Sequence, residues 1–101
     1  MTSLEQLRSA SSEIAKICAR YRVSELSVFG STVRGNDRPD SDVDLLVMFE
    51  PDAHIGLIAF NRLRRELEDH LGRRVDLVPK DGLKPALRDE VLSEAQRVYA
   101  L

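Results

Sequence analysis

Apolar residues recur at helical intervals in three segments of the chain. Steps of three, four and seven residues between them are typical of an amphipathic helix, and they predict a first helix from residue 3 to about residue 22. A second helix is predicted over residues 56–71, because Gly72 then stands where a left-handed glycine often ends a helix. A last helix is predicted from residue 81 to about residue 96, with Pro85 in its first turn.

Short apolar runs between these helices predict three strands, over residues 26–29, 43–49 and 75–78. Val98 and Tyr99 either extend the last helix or form a small final strand. The resulting order of elements is α-β-(α)-β-α-β-α, where the element in brackets is a brief helix or turn. This order predicts a domain of the α/β class.

The composition excludes several classes of protein. A length of 101 residues suits one compact domain, which we assign to residues 1–101. With 43% hydrophobic and 32% charged residues, the chain is too apolar to be disordered and too mixed to be fibrous. The net charge of −2 creates no positive field, so a nucleic acid is not expected as a direct partner.

Nothing in the sequence indicates secretion or a membrane partner. Cys18 is the single cysteine, so no internal disulfide can form, and its apolar neighbours Ile14 and Ile17 predict a thiol packed in the core. The N-terminus lacks the basic start and apolar run of a signal peptide. The longest nearly apolar run, residues 43–49, is too short to span a membrane. We therefore expect a cytoplasmic protein.

A glycine and a serine follow the first predicted strand, at Gly30 and Ser31. A strand that ends in such a turn before a short helix, here at residues 31–35, presents backbone N–H groups that suit a triphosphate. Arg34 lies one helical turn further along and is a candidate phosphate ligand, and a polar loop is predicted at residues 36–40. Taken alone, the turn is weak evidence for binding.

Two aspartates, Asp42 and Asp44, lie at the start of the second predicted strand. Residues i and i+2 of a strand share a face and are roughly 6.5–7 Å apart. Two such carboxylates repel each other, and a divalent cation such as Mg²⁺ removes the repulsion while meeting the hard oxygen ligands it prefers. The alternative is a solvated face, on which Asp42 only ends the loop.

Asp76 is the single polar residue of the third predicted strand. A buried carboxylate is costly unless it is paired, protonated or metal-bound. If this strand lies beside the second, three aspartates converge and can hold two Mg²⁺ ions for in-line displacement at phosphorus. Asp76 is then the candidate that orients or deprotonates the nucleophile. The alternative is a salt bridge to Arg73 or Arg74.

The combined pattern resembles a known superfamily. Gly-Ser at 30–31, Asp-Val-Asp at 42–44 and the distant Asp76 are similar to the signature of the DNA polymerase β-like nucleotidyltransferases. The fuller stretches GSTVRG and SDVDLLV, at residues 30–35 and 41–47, resemble the smallest members, the MNT-domain proteins. The likeness covers residues 26 to about 99, and all three acidic positions are filled.

This resemblance implies a fold, a reaction and a partner. Family members have a small mixed β-sheet flanked by helices, and they transfer AMP from ATP to a hydroxyl with Mg²⁺. The implied catalytic and metal-binding residues are Asp42, Asp44 and Asp76, and the implied nucleotide-binding residues are Gly30, Ser31, Arg34 and Ser41. MNT proteins typically pair with an adjacently encoded HEPN-domain toxin, so the chain would be an antitoxin that adenylylates a tyrosine of that toxin.

Three readings of the function compete. The first is the active protein adenylyltransferase, and the second is a binding module that neutralises a HEPN partner by complex formation alone. The third, a small-molecule transferase, generally needs a further domain for its acceptor pocket. A homo- or hetero-oligomer is possible, because Leu46 and Met48 share the strand face of Asp44 and must be covered by a partner, a second copy or the last helix.

Overall fold

The computed structural model describes residues 3–34 and 41–101. Gly35 and the polar loop predicted at residues 36–40 lie outside this described part. The helices are α1 (Ser3–Ser9), α2 (Ser11–Arg20), α3 (Ser31–Arg34), α4 (Leu57–Leu71) and α5 (Pro85–Glu94), and one 3₁₀ turn, Lys80–Gly82, precedes α5. Within the two described ranges, no helix is long and apolar enough to cross a membrane.

The strands are β1 (Val23–Val28), β2 (Val43–Phe49), β3 (Val75–Pro79) and β4 (Gln96–Ala100). They form a mixed sheet in the order β3-β2-β1-β4. β2 runs antiparallel to β1 and parallel to β3, and β4 runs antiparallel to β1. The predicted α/β class and mixed sheet are confirmed. Of the two interpretations of Val98 and Tyr99, the structure has the final strand.

The core lies between one face of this sheet and the helices α1, α2 and α4. Val43, Leu45 and Val47 alternate along β2, point to this face and are at most 1% exposed. Helix α4 contributes Leu63 and Leu67 to the same core, where both are fully buried. The strict alternation of β2 thus assigns every second residue to the core and leaves the others for the opposite face.

Cys18 belongs to this core, as predicted. Its side chain on α2 is fully buried among apolar residues. Burial raises the pKa of the thiol to about 12, because the thiolate would lose its solvation. The thiol is therefore protonated at neutral pH and is not a nucleophile.

Two helix predictions are wrong in their extent. The predicted first helix is interrupted at Ala10, which separates α1 from α2. Serines flank this position at 9, 11 and 12, and their hydroxyls compete for backbone hydrogen bonds, which weakens a helix interior. The last helix begins at Pro85 rather than at residue 81. Lys84 is extended there, because a residue before proline is disfavoured in the helical region.

The face of the sheet opposite the core carries the acidic residues, and we call it the Asp44 face. By strand register it consists of Asp44, Leu46 and Met48 of β2, Glu25 and Ser27 of β1, and Asp76 and Val78 of β3. Leu92 and Ala95, at the end of the chain's own last helix, line a cavity of about 250 Å³ with Leu46, which is only 2% exposed. Met48 remains 39% exposed.

Truncating a core leucine of α4 should strongly destabilise the fold. We expect Leu63→Ala to lower the free energy of unfolding by about 2–5 kcal/mol, because removal of the fully buried side chain leaves a cavity in the core. Leu57→Ala in the same helix is the matched control, since Leu57 is 77% exposed and should cost about 0.5 kcal/mol or less. Urea unfolding measures both, and equal losses would contradict this assignment of the core.

Candidate active site

The site begins where β1 ends. Phe29, just after β1, donates its N–H to the carbonyl oxygen of Asp44 at 3.0 Å, which joins the strand end to β2. Gly30 follows, and its carbonyl oxygen accepts the N–H groups of Val33 and Arg34 at 3.1 and 3.2 Å. These bonds start α3 at Ser31 and hold it beside β2. The predicted order of strand, Gly-Ser turn and brief helix is confirmed, but the strand was predicted over residues 26–29 and instead spans Val23–Val28.

Gly30 packs directly against the carboxylate of Asp44. Its φ of +70° is in the left-handed region, where a Cβ is disfavoured. A Cβ at this position would also overlap Oδ2 of Asp44 and come within 3.2 Å of its Cγ. Glycine is therefore needed twice, for the backbone conformation and for the close approach of the acidic side chain.

Asp44 is partly buried, and its environment favours the protonated form. Burial is the main cause that raises the pKa of this carboxyl above its ordinary value, and the negative charges of Asp76 and Asp42 raise it further. Arg34 acts in the opposite direction, and Glu94 adds to the rise. The site thus concentrates negative charge that the described cations only partly balance.

Asp76 lies beside Asp44, as predicted from the pairing of the two strands. β3 runs parallel to β2, and the Cα atoms of the two aspartates are register partners. The prediction that Asp76 is buried is wrong, because its side chain is exposed. Its strand lies at the edge of the sheet and α5 does not bury it, so the Asp44 face is open to solvent at this residue.

Asp42 and Ser41 lie just before β2 and contact two arginines. Oδ1 of Asp42 pairs with Nε of Arg74 at 3.2 Å. The main-chain oxygen of Ser41 accepts a hydrogen bond from Nη2 of Arg73 at 2.6 Å, and its hydroxyl lies 3.2 Å from the same nitrogen. In this arrangement, no group of three or more His, Cys, Asp or Glu side chains within residues 3–34 and 41–101 is placed to hold a metal ion.

Arg34 meets a carboxylate that sequence reasoning missed. Glu94, the last residue of α5, lies with Oε2 at 3.1 Å and Oε1 at 3.3 Å from Nη1 of Arg34. Its Oε1 also accepts the N–H of Gly30 at 3.2 Å. Glu94 is 64 residues from Gly30, and no local motif marks it. The contact of Glu94 with Gly30 and Arg34 depends on where α5 lies in the folded protein, which the sequence pattern does not show.

Comparison with known proteins agrees with this geometry. The pattern of the family described as "Nucleotidyltransferase domain" matches residues 11–98. The Protein adenylyltransferase MntA of Thermococcus cleftensis is 44% identical over 95 residues, which cover 93% of this chain and 94% of the relative.

Two solved structures share the fold. One, described as a candidate minimal nucleotidyltransferase, is 45% identical with a TM-score of 0.79, and the match covers 95% of each chain. The other belongs to a complex of a tri-AMPylated HEPN toxin from Shewanella oneidensis with an MNT antitoxin. It has a TM-score of 0.67 at 20% identity, over 94% of this chain and 73% of that one, so it supports the fold alone. The chain therefore belongs to the nucleotidyltransferase domain family and is a minimal nucleotidyltransferase of the MNT type.

Proposed function

We propose that this nucleotidyltransferase transfers AMP from ATP to a tyrosine hydroxyl of a HEPN-domain toxin and thereby acts as its antitoxin. The observation that carries the proposal is the contact of Gly30 with Asp44, together with the pairing of Asp44 and Asp76 across two parallel strands. A donor-rich turn and an acidic pair at one point are what transfer at phosphorus needs. The proposed catalytic residues are Asp42, Asp44 and Asp76.

The proposed reaction replaces one phosphorus–oxygen bond with another. The acceptor hydroxyl oxygen attacks the α-phosphorus of ATP, the bond to the β-phosphate oxygen breaks, and pyrophosphate leaves. Asp76 takes the proton of the hydroxyl or orients it, and its exposure leaves room for a side chain of another protein to reach it. Gly30, Ser31, Arg34 and Ser41 are the proposed ligands of the nucleotide.

The acidic residues suit divalent cations by their chemistry. Asp44 and Asp76 are neighbours whose charges disfavour each other, and carboxylate oxygens are the ligands that Mg²⁺ prefers. Asp42 would complete the set by exchanging Arg74 for the metal, which costs little because both side chains are largely exposed. Bound Mg²⁺, two ions in our proposal, would neutralise charge on the triphosphate and on the leaving pyrophosphate.

The proposed acceptor is a protein because the Asp44 face is open to solvent at Asp76. Asp76 is exposed and α5 has no buried residue, so a large substrate can approach from this side. The tri-AMPylated toxin in the complex with an MNT antitoxin supports the same choice of acceptor class. The alternative is neutralisation of the HEPN partner by complex formation without catalysis.

Labelled ATP tests the proposal. The protein is incubated with Mg²⁺, ATP labelled in the α-phosphate and an adjacently encoded HEPN-domain protein, and label on that protein is measured. We expect Asp76→Asn to reduce transfer about a hundredfold, because the neutral amide cannot accept the proton. Asp69→Asn is the matched control, since Asp69 is an exposed residue of α4, on the core side of the sheet.

The outcomes separate the two functions. Transfer that is retained in Asp69→Asn and lost in Asp76→Asn supports adenylylation. A tight complex without any transfer, unchanged by either substitution, would favour neutralisation by binding alone. Label on a tyrosine, located by mass spectrometry of the modified partner, tests the acceptor atom, and label on another residue would contradict it.

A further inference from the structure

The carboxylate of Glu94 occupies the position in which the proposed function would place a phosphate group. Its two oxygens accept hydrogen bonds from the backbone N–H of Gly30 and from Nη1 of Arg34, with N–O distances of 3.1–3.3 Å. A phosphate held by this turn would accept hydrogen bonds from the same two donors. The backbone N–H and the guanidinium each offer a hydrogen that carries positive charge, which suits any oxyanion. An internal anion therefore stands where the external one would bind.

The charge of Glu94 opposes a second anion at this point. The same charge acts on Asp44. Burial is the main cause that raises the pKa of Asp44, Asp76 and Asp42 raise it further, and Glu94 adds to the rise. A triphosphate entering with Glu94 in place would add its charges to those of four carboxylates and compete with Glu94 for the guanidinium of Arg34. Like charges in contact disfavour such a complex, so Glu94 and the triphosphate exclude each other.

Helix α5, which ends at Glu94, is attached in a way that allows it to move. None of its residues is fully buried, whereas α2 and α4 each bury three. Lys84 and Ala95, on either side of α5, are both extended, so the helix is joined to the rest of the chain by non-helical residues. Moving an element whose side chains are at most partly buried costs less than moving α4.

We propose that Glu94 is a built-in competitor of the nucleotide, which the incoming triphosphate displaces from Gly30 and Arg34 together with the end of α5. This inference rests on the proposed binding of ATP at this site. Competition by Glu94 then lowers the affinity of the site for nucleotide, and α5 moves away from Gly30 and Arg34 when the nucleotide binds. Because Leu92 and Ala95 line the cavity over Leu46, the displacement also changes the surface of the Asp44 face.

Nucleotide affinity with a neutral residue at position 94 tests the inference. Binding of an ATP analogue that cannot be cleaved at the α-phosphate is measured by calorimetry with Mg²⁺. We expect Glu94→Gln to tighten binding about three- to tenfold, since the competing charge is removed and the shape is kept. Glu90→Gln is the matched control, because Glu90 is an exposed residue one turn earlier in α5 and should leave the affinity unchanged.

Hydrogen exchange of the unmodified protein gives a second readout that needs no substitution. Binding of the same analogue should speed amide exchange in α5 while leaving α4 unchanged. Weaker or unchanged binding in Glu94→Gln, or slower exchange in α5, would overturn the inference and make Glu94 a residue that positions Arg34. Failure of the wild-type protein and both variants to bind the analogue would instead overturn the proposed function, and this inference with it.

Discussion

Replacing Asp44 with asparagine should reduce AMP transfer about a thousandfold or more, while the unliganded protein becomes harder to unfold. The loss of transfer is expected because the amide supplies no negative charge for Mg²⁺ at the centre of the acidic group. The gain in stability is expected because Asp44 is partly buried and is repelled by Asp76 and Asp42. Transfer of label and urea unfolding measure the two effects, with Asp69→Asn as the control.

The stability effect of this substitution has a defined pH dependence. Burial and the neighbouring carboxylates raise the pKa of Asp44 in the folded protein, so the folded state binds this proton more tightly than the unfolded chain. That contribution to stability is present at acid pH and is lost as the pH rises through the raised pKa. Asparagine does not titrate, so its advantage over aspartate should grow as the pH rises above about 4, the ordinary pKa of an aspartate.

Divalent cations provide the check on this interpretation. Added Mg²⁺ should stabilise the wild-type protein more than Asp44→Asn, because a ligand stabilises the state that binds it. The difference between the two proteins should therefore shrink or reverse. An asparagine variant that is less stable than wild type at neutral pH without Mg²⁺ would contradict the electrostatic account of this site.

Gly30→Ala should reduce AMP transfer about a thousandfold as well, by a different route. The added Cβ would overlap the Asp44 carboxylate, which must then leave its position beside the turn. A left-handed alanine also costs about 1–2 kcal/mol of folding free energy. We therefore expect lost transfer together with a lowered midpoint in urea.

Gly72→Ala separates the two causes, because Gly72 has nearly the same backbone strain without the contact. Its φ is +67°, close to the +70° of Gly30, but a Cβ there would have no atom within 4 Å. Gly72 ends α4 in the left-handed conformation. Its alanine variant should lose similar stability and keep its activity. If both variants retained transfer, the contact of Gly30 with Asp44 would not matter for function.

The sequence predicted those parts of the fold that depend on local periodicity. The apolar run at residues 43–49 was located without error as β2, and the helix that ends before Gly72 was predicted one residue too long. The interruption at Ala10 was missed, because apolar spacing alone does not register three serines that weaken a helix. The start of α5 was misplaced because a proline restricts the residue before it.

The site residues that could be predicted are those that lie next to a turn or strand recognisable in the sequence. The turn at Gly30 and the pairing of Asp44 with Asp76 follow from strand order, and both are observed. Exposure of Asp76 could not be read from its apolar neighbours, since the identity of an edge strand is a property of the whole sheet. Glu94 was missed for the same reason, because its contacts join distant parts of the chain.

Alternate residues of β2 belong to the core and to the Asp44 face. This alternation limits where the chain can accept an insertion or a deletion. Val43, Leu45 and Val47 fill the core, while Asp44, Leu46 and Met48 belong to the opposite face. One inserted residue within β2 would exchange the two sets, burying a carboxylate and exposing valines. Insertions and deletions should therefore be excluded from residues 43–49 and accepted in the segment before α4, where the chain is neither helix nor strand.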